Sequence, residues 1–163
     1  MEFWQTIAAT VVGGSITLIA TALTNDYQKT RETDKKKLEK IERAYMLLTQ
    51  IEHSYRMEWA SDTASLNSGK LEKQYRTNEK LPFEELEMLV GFYAKQLKGD
   101  VEGLISYSKS NYGKSSSKII DVESEQIKDK EALKNELFIS FNEIKRKIAE
   151  LQNKLVSIGN GYM

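Results

Sequence analysis

The chain opens with an uncharged, largely apolar run from Phe3 to Asn25, and charged side chains are spread throughout the region that follows. At 1.5 Å per residue, a helix of this length reaches about 34 Å, enough to cross a hydrocarbon core of about 30 Å. A segment that crosses lipid satisfies its own backbone hydrogen bonds and is therefore helical. The pattern predicts one transmembrane helix within residues 1–25 and a separate domain over residues 26–163.

Three other interpretations fit the apolar run less well. A signal peptide with a cleavage site at Ala20-Thr21-Ala22 needs a positive N-terminal region, whereas the only charge before the run is Glu2. A buried core helix of a soluble domain is usually shorter and carries a polar face. A helix that lies in the membrane interface needs a charged face, which the run lacks.

Basic side chains follow the run and none precedes it: Lys29, Arg31, Lys35, Lys36, Lys37, Lys40 and Arg43. The positive-inside rule therefore predicts a single-pass membrane protein, with its N-terminus outside and residues 26–163 in the cytoplasm. Ala9 and Gly13 have the small-xxx-small spacing that lets helices pack closely in lipid. One span cannot enclose a pore, so a perforating protein of this kind acts as a homo-oligomer.

Beyond residue 26, apolar positions recur every three or four residues, which predicts an all-α domain of three long helices. The first helix covers residues 26–66 and continues from the span, the second covers about 82–109, and the third covers about 122–158. The first has its apolar positions at Leu38, Ile41, Tyr45, Met46, Leu47, Leu48, Ile51, Tyr55 and Trp59. The second has Leu86, Leu89, Val90, Tyr93, Leu97, Val101, Leu104 and Ile105. The third has Leu133, Leu137, Phe138, Phe141, Ile144, Ile148, Leu151, Leu155 and Ile158.

Polar, turn-forming residues separate these helices. A linker at Ser61–Gly69 is expected to end the first helix, and Asn111–Ser117 is the clearest loop. The polar residues 70–80 fit either a short helix or a loop. Gly99 and Gly103 predict a bend or a close helix contact within the second helix.

Composition narrows the chemistry further. The chain has 24 Lys and Arg against 24 Asp and Glu, so no excess of positive charge favours binding to duplex nucleic acid. It has no Cys, and its one histidine, His53, lacks an HExxH context, so neither a metal site nor a cofactor is predicted. Gly113-Lys114-Ser115 resembles the end of a P-loop, but Ser108 stands where the first glycine belongs and no strand precedes it. We therefore expect a protein that is not an enzyme.

The first candidate ligand site is on the first cytoplasmic helix, at His53, Arg56 and Trp59. Residues three apart are neighbours on a helix surface, so an imidazole, a guanidinium and an indole are presented together. Arginine offers a fork for phosphate and aromatic rings stack on bases. The alternative is an arginine whose stem covers the core. Arg76 and Lys73 are expected to complete a basic pocket.

The second candidate site is the predicted 111–117 loop. Asn111, Tyr112, Lys114 and Ser115 supply amide, hydroxyl and ammonium groups, and loops of this type cradle anions in their backbone N–H groups. A solvated turn without function is the alternative interpretation of this loop.

The whole layout, with its N-terminal span, basic flank and small helical cytoplasmic domain, resembles the small membrane effectors that accompany type III CRISPR systems. The Arg, His, Asn, Tyr and Lys side chains named above are available for phosphate and adenine. The resemblance implies a role in antiviral defence and a symmetric homo-oligomer, such as a tetramer, that binds cyclic oligoadenylate. It also implies that residues 26–60 pass the signal to the span, and that the span then perturbs the lipid bilayer of the bacterial inner membrane.

Two further functions remain open. A non-enzymatic single-span scaffold or coiled-coil adaptor is favoured by the long apolar stripe from Leu133 to Ile158. A phage spanin also has one span and a coiled coil, but it would place the larger domain in the periplasm, against the basic residues Lys35–Lys37.

Overall fold

The computed structural model describes the backbone of residues 2–72, 80–119 and 129–162. It describes the side chains of the same ranges from residue 28 onward, together with Thr24 and Asn25. The predicted span at Phe3–Asn25 therefore lies, apart from those two residues, outside the described side chains. Among the residues that are described, no helix combines the length and the apolar character needed to cross a membrane.

The described residues form an all-helical fold without strands, which confirms the all-α part of the predicted fold class. The helices are α1 (Glu2–Ser68), α2 (Phe83–Tyr93), α3 (Lys98–Tyr107), α4 (Gly113–Ser117) and α5 (Lys130–Asn160). A 3₁₀ turn, Lys95–Leu97, joins α2 to α3, and a π-helical turn, Ser108–Tyr112, joins α3 to α4. Most of the uncertain 70–80 segment and the start of the predicted last helix, before residue 129, lie outside the described residues.

Helix α5 runs antiparallel to α1. At one end of the pair, a Cβ atom on Gly159 would lie 3.3 Å from Leu38 Cδ1, so the two helices approach closely there. Toward the other end, the indole of Trp59 stacks on the ring of Phe141, with centroids 5.5 Å apart. The absence of a side chain at Gly159 is what permits this close approach near the chain's C-terminus.

The stretch from α2 to α4 runs in the same direction as α1. Arg43 of α1 binds Glu85 near the start of α2 through two hydrogen bonds of 2.8 and 3.1 Å. Nineteen residues further along α1, Asp62 accepts a hydrogen bond from Tyr112, just before α4. The result is a bundle of three layers, in which α1 and α2–α4 point one way and α5 points the other.

The core lies where the three layers meet. The predicted stripe of the last helix is confirmed, since all its positions from Leu133 to Leu155 are buried except Phe138, which is 51% exposed. Tyr45, Met46 and Tyr93 were expected in the core, but all three are exposed, and Tyr45 lies in the lining of an open groove between α1 and α5.

The linker predicted at Ser61–Gly69 is wrong, because α1 continues through it to Ser68. Ser61 and Ser65 are fully buried, and both hydroxyls bond the backbone of Glu72, where the chain returns along α1. Gly69 then ends the helix in a left-handed conformation (φ 70°), with its N–H donating to the carbonyl of Ser65. Ser61 and Ser65 therefore do not form a turn. They lie on the face of α1 against which the returning chain packs.

The predicted second helix is interrupted, but not at its glycines. The break is at Ala94, which has a non-helical backbone (φ −144°, ψ 51°) and is buried. Gly99 and Gly103 lie inside a regular α3, and a Cβ atom at either position would meet nothing within 4 Å. Neither glycine therefore bends the helix or permits a close contact.

Outside the bundle, α1 continues toward its N-terminus as a polar helix. Its described side chains between residues 28 and 36 are exposed, Asp34 in part, and packing begins at Leu38. The stretch 28–36 is called the stalk below.

Candidate functional site

The first predicted site does not assemble. His53 and Arg56 are exposed, and Arg56 Nη2 donates to Glu52 Oε1 at 2.8 Å. Trp59 instead packs on Phe141, with its indole 11° from parallel to that ring. Each three-residue step along a helix turns the side-chain direction by about 60° around the helix axis. Trp59 lies two such steps from His53 and therefore faces the core.

Of the other predicted residues, one lies outside the described part of the chain and one is buried in the core. Arg76, with Lys73, lies outside the described residues. Tyr112 is only 1% exposed; its hydroxyl donates to Asp62 Oδ2 at 3.4 Å, and its ring meets Tyr55 edge-on with centroids 5.2 Å apart. Burial, and then the nearby Asp62 carboxylate, raises the pKa of Tyr112 far above its ordinary value, so its phenol remains a donor. Tyr112 therefore anchors the core and is not available to a ligand.

The predicted 111–117 loop is wrong as a loop, because the chain there is helical. The π-helical turn Ser108–Tyr112 runs directly into α4, Gly113–Ser117. Asn, Gly and Ser favour turns locally, but burial of Tyr112 and Ser115 favours a continuous helix. A π-turn holds an extra residue per turn, and such turns are frequent at functional sites.

The same segment nevertheless forms one side of a polar cleft of about 380 Å³ between α4 and α5. Three of the predicted residues, Asn111, Lys114 and Ser115, line this cleft together. Lys118, one turn beyond Lys114, adds a second ammonium group. The sequence signal for Lys118 was its spacing of four from Lys114, which places both lysines on one helix face.

Glu136 of α5 forms the opposite wall of the cleft. Its Oε2 accepts a hydrogen bond from Lys118 Nζ at 2.9 Å and another from Ser115 Oγ at 3.3 Å. The hydrogen bond from Lys118 lowers the pKa of Glu136 most, and Lys114 adds to the effect, so the carboxylate is charged near neutral pH. Glu136 was not predicted, since it is one of many charged residues along α5 and only the tertiary fold brings it here.

An apolar wall completes the cleft, formed by Tyr107 and Ile139. Lys147 Nζ lies 5.6 Å from the centroid of the Tyr107 ring, a cation–π distance. Ile139 is 56% exposed, although isoleucine is usually buried. The cleft thus offers two ammonium groups beside a flat aromatic ring and an exposed aliphatic side chain, a combination that suits a phosphorylated ligand with a planar apolar part.

Within the described ranges, no three His, Asp or Glu side chains lie close enough together to hold a metal ion. The groups that line the cleft are those of non-covalent anion binding: ammonium, amide and hydroxyl donors around one carboxylate. Comparison with known proteins finds no matching family model, no matching curated protein and no matching solved structure.

Proposed function

We propose that this protein is a membrane-anchored effector of bacterial antiviral defence, in which the cleft between α4 and α5 binds a cyclic oligoadenylate second messenger. The observation that carries the proposal is the convergence of Asn111, Lys114, Ser115 and Lys118 on one side of the cleft. Ammonium, amide and hydroxyl donors bind phosphate oxygens, and the Tyr107 ring beside them offers a stacking surface for adenine.

The continuity of α1 supports a direct path from the cleft to the membrane. α1 is one helix of 67 residues, which corresponds to about 100 Å, from Glu2 to Ser68. Its buried Asp62 accepts a hydrogen bond from Tyr112, and α4, which lines the cleft, begins at the next residue. A ligand that shifts α4 therefore pulls on α1 near its C-terminal end, and a rigid helix transmits that movement.

The membrane part of the proposal rests on the sequence. The uncharged run Phe3–Asn25 is the proposed span, with its N-terminus outside and residues 26–163 in the cytoplasm of a bacterial cell. The polar stalk at residues 28–36 would hold the bundle away from the bilayer. Because one span encloses no pore, the active form is a homo-oligomer that perturbs the inner membrane.

Isothermal titration of the full-length chain in detergent micelles with cyclic tetra-adenylate tests the proposal. We expect micromolar binding that weakens about tenfold in Lys114→Gln and in Lys118→Gln, since each loses one charge from the cleft. Lys145→Gln is the matched control, because Lys145 is an exposed lysine of α5 outside the cleft lining. No heat with the wild type, or the same affinity in all four proteins, would remove the proposal.

A non-enzymatic scaffold is the second candidate, and a different observation favours it. An apolar groove of about 300 Å³ lies between α1 and α5, lined by Leu38, Ile41, Tyr45 and Val156 among others. Tyr45 is 40% and Val156 49% exposed, and exposed apolar grooves of this kind accept the apolar face of a partner helix. A scaffold would lose self-association in Val156→Asp and would bind no cyclic tetra-adenylate, whereas the effector keeps its ligand in that variant.

A further inference from the structure

The cationic side of the cleft already holds a carboxylate of the same chain. Lys118 Nζ and Ser115 Oγ both donate to one oxygen of Glu136, its Oε2. The Lys118 and Glu136 side chains are 48% and 52% exposed, so water reaches the pair from outside. Ion pairs with this much exposure are held weakly, which makes Glu136 a displaceable occupant.

A phosphate group is equipped to take that position. Its oxygens accept the same hydrogen bonds that Lys118 and Ser115 donate to Glu136, and they also reach toward Lys114, which lines the same cleft. Each phosphodiester of a cyclic oligoadenylate carries one negative charge and two non-bridging acceptor oxygens, and the ring carries several such groups, against the single charge of Glu136. Attraction to the two lysines grows with the total charge of the ligand, so the ring has an advantage over Glu136 that a single carboxylate would lack.

We propose that Glu136 is a built-in competitor that occupies the anion site of the cleft and is displaced when a phosphorylated ligand binds. This inference rests on the proposed function and adds its regulation: Glu136 sets the concentration at which the ligand binds, and it favours a ligand with several negative charges over a singly charged anion.

The displacement also releases a contact between two layers of the bundle. Ser115 lies in α4 and Lys118 is the first residue after α4, whereas Glu136 belongs to α5. The hydrogen bonds that a ligand takes over are therefore bonds that join α4 to α5. Ligand binding therefore loosens α4 from α5 at the same time. The hydrogen bond from Tyr112 to Asp62 still attaches the start of α4 to α1.

The test compares cyclic tetra-adenylate binding to the full-length wild type and to Glu136→Gln by isothermal titration. Glutamine keeps the length of the side chain and an acceptor for Ser115 and Lys118, but it removes the competing charge. We expect about tenfold tighter binding, since one like charge is removed at ion-pair distance in a water-exposed site. Glu131→Gln, on the same helix and bonded to Lys134, is the matched control and should bind as the wild type does.

Glu136→Asp provides a second variant, because it keeps the charge with a shorter side chain and should retain roughly wild-type affinity. If the wild type binds and Glu136→Gln binds equally or more weakly, Glu136 is not a competitor and this inference fails, while the proposed function stands. If neither protein binds, both fail. Tighter binding in Glu136→Gln, without a change in Glu131→Gln, supports the competitor.

Discussion

Replacing Tyr112 by phenylalanine removes one hydroxyl from the centre of the bundle and leaves the shape of the side chain intact. The hydroxyl donates to Oδ2 of Asp62 at 3.4 Å, and Tyr112 and Asp62 are 1% and 0% exposed. Loss of a donor to a buried charged acceptor costs about 1–3 kcal/mol, and the long distance places this bond in the lower half of that range. The ring keeps its edge-on contact with Tyr55, so no cavity adds to the cost.

Urea unfolding of the full-length chain at pH 7, followed by circular dichroism, measures this loss. Tyr45→Phe is the matched control, because Tyr45 is 40% exposed and its substitution should stay within about 0.5 kcal/mol of the wild type. In an Asp62→Asn background the effect of Tyr112→Phe should shrink, since the charged acceptor is gone. A loss no larger than that of the control, or one that is unchanged in the Asp62→Asn background, would refute the assignment of this pair.

The remaining predictions concern backbone, packing and pH. Gly103→Ala should stabilise the protein by about 1 kcal/mol in urea unfolding, because a Cβ atom there meets nothing. Gly69→Ala should destabilise it by about 1 kcal/mol because φ is 70°, and the opposite signs would contradict the helix ends described above. Ile148→Ala, at a fully buried position, should cost about 2–5 kcal/mol, and a loss below about 1 kcal/mol would place Ile148 outside the core. Arg146 lowers the pKa of Glu143 from 4.5, so the stability from this pair is complete above that value and is lost as pH falls through the folded pKa. Thermal melts between about pH 6 and pH 3 should show that loss, and it should be smaller in Arg146→Gln; an equal loss in both proteins would contradict the pair.

The all-helical class was predictable because a helix that packs on one face buries every third or fourth residue, and the apolar residues of the sequence follow that spacing. The stripe from Leu133 to Leu155 matches the buried face of α5 almost position for position. The ends of elements were less predictable. Ser61 and Ser65 look like turn residues by composition, but their hydroxyls bind the backbone of Glu72, a contact that arises only when the chain folds back.

The residues of the candidate site were also predictable only in part. Asn111, Lys114 and Ser115 are close in sequence, and local spacing was enough to bring them together even though the predicted loop is a helix. Trp59 was misplaced because its separation of six residues from His53 turns it about 120° around the helix. Glu136 was not predicted because its partners, Ser115 and Lys118, are distant in sequence, and the residues around Glu136 give no sign of that contact.

The proposed function requires that a ligand in the cleft acts on a membrane through α1. Dye release from liposomes that carry the full-length protein tests it most directly, with cyclic tetra-adenylate added outside and the bundle facing outward. We predict release with the wild type and little release with Lys114→Gln combined with Lys118→Gln. Absence of release from wild-type liposomes, or equal release with the double variant, would contradict the proposed function.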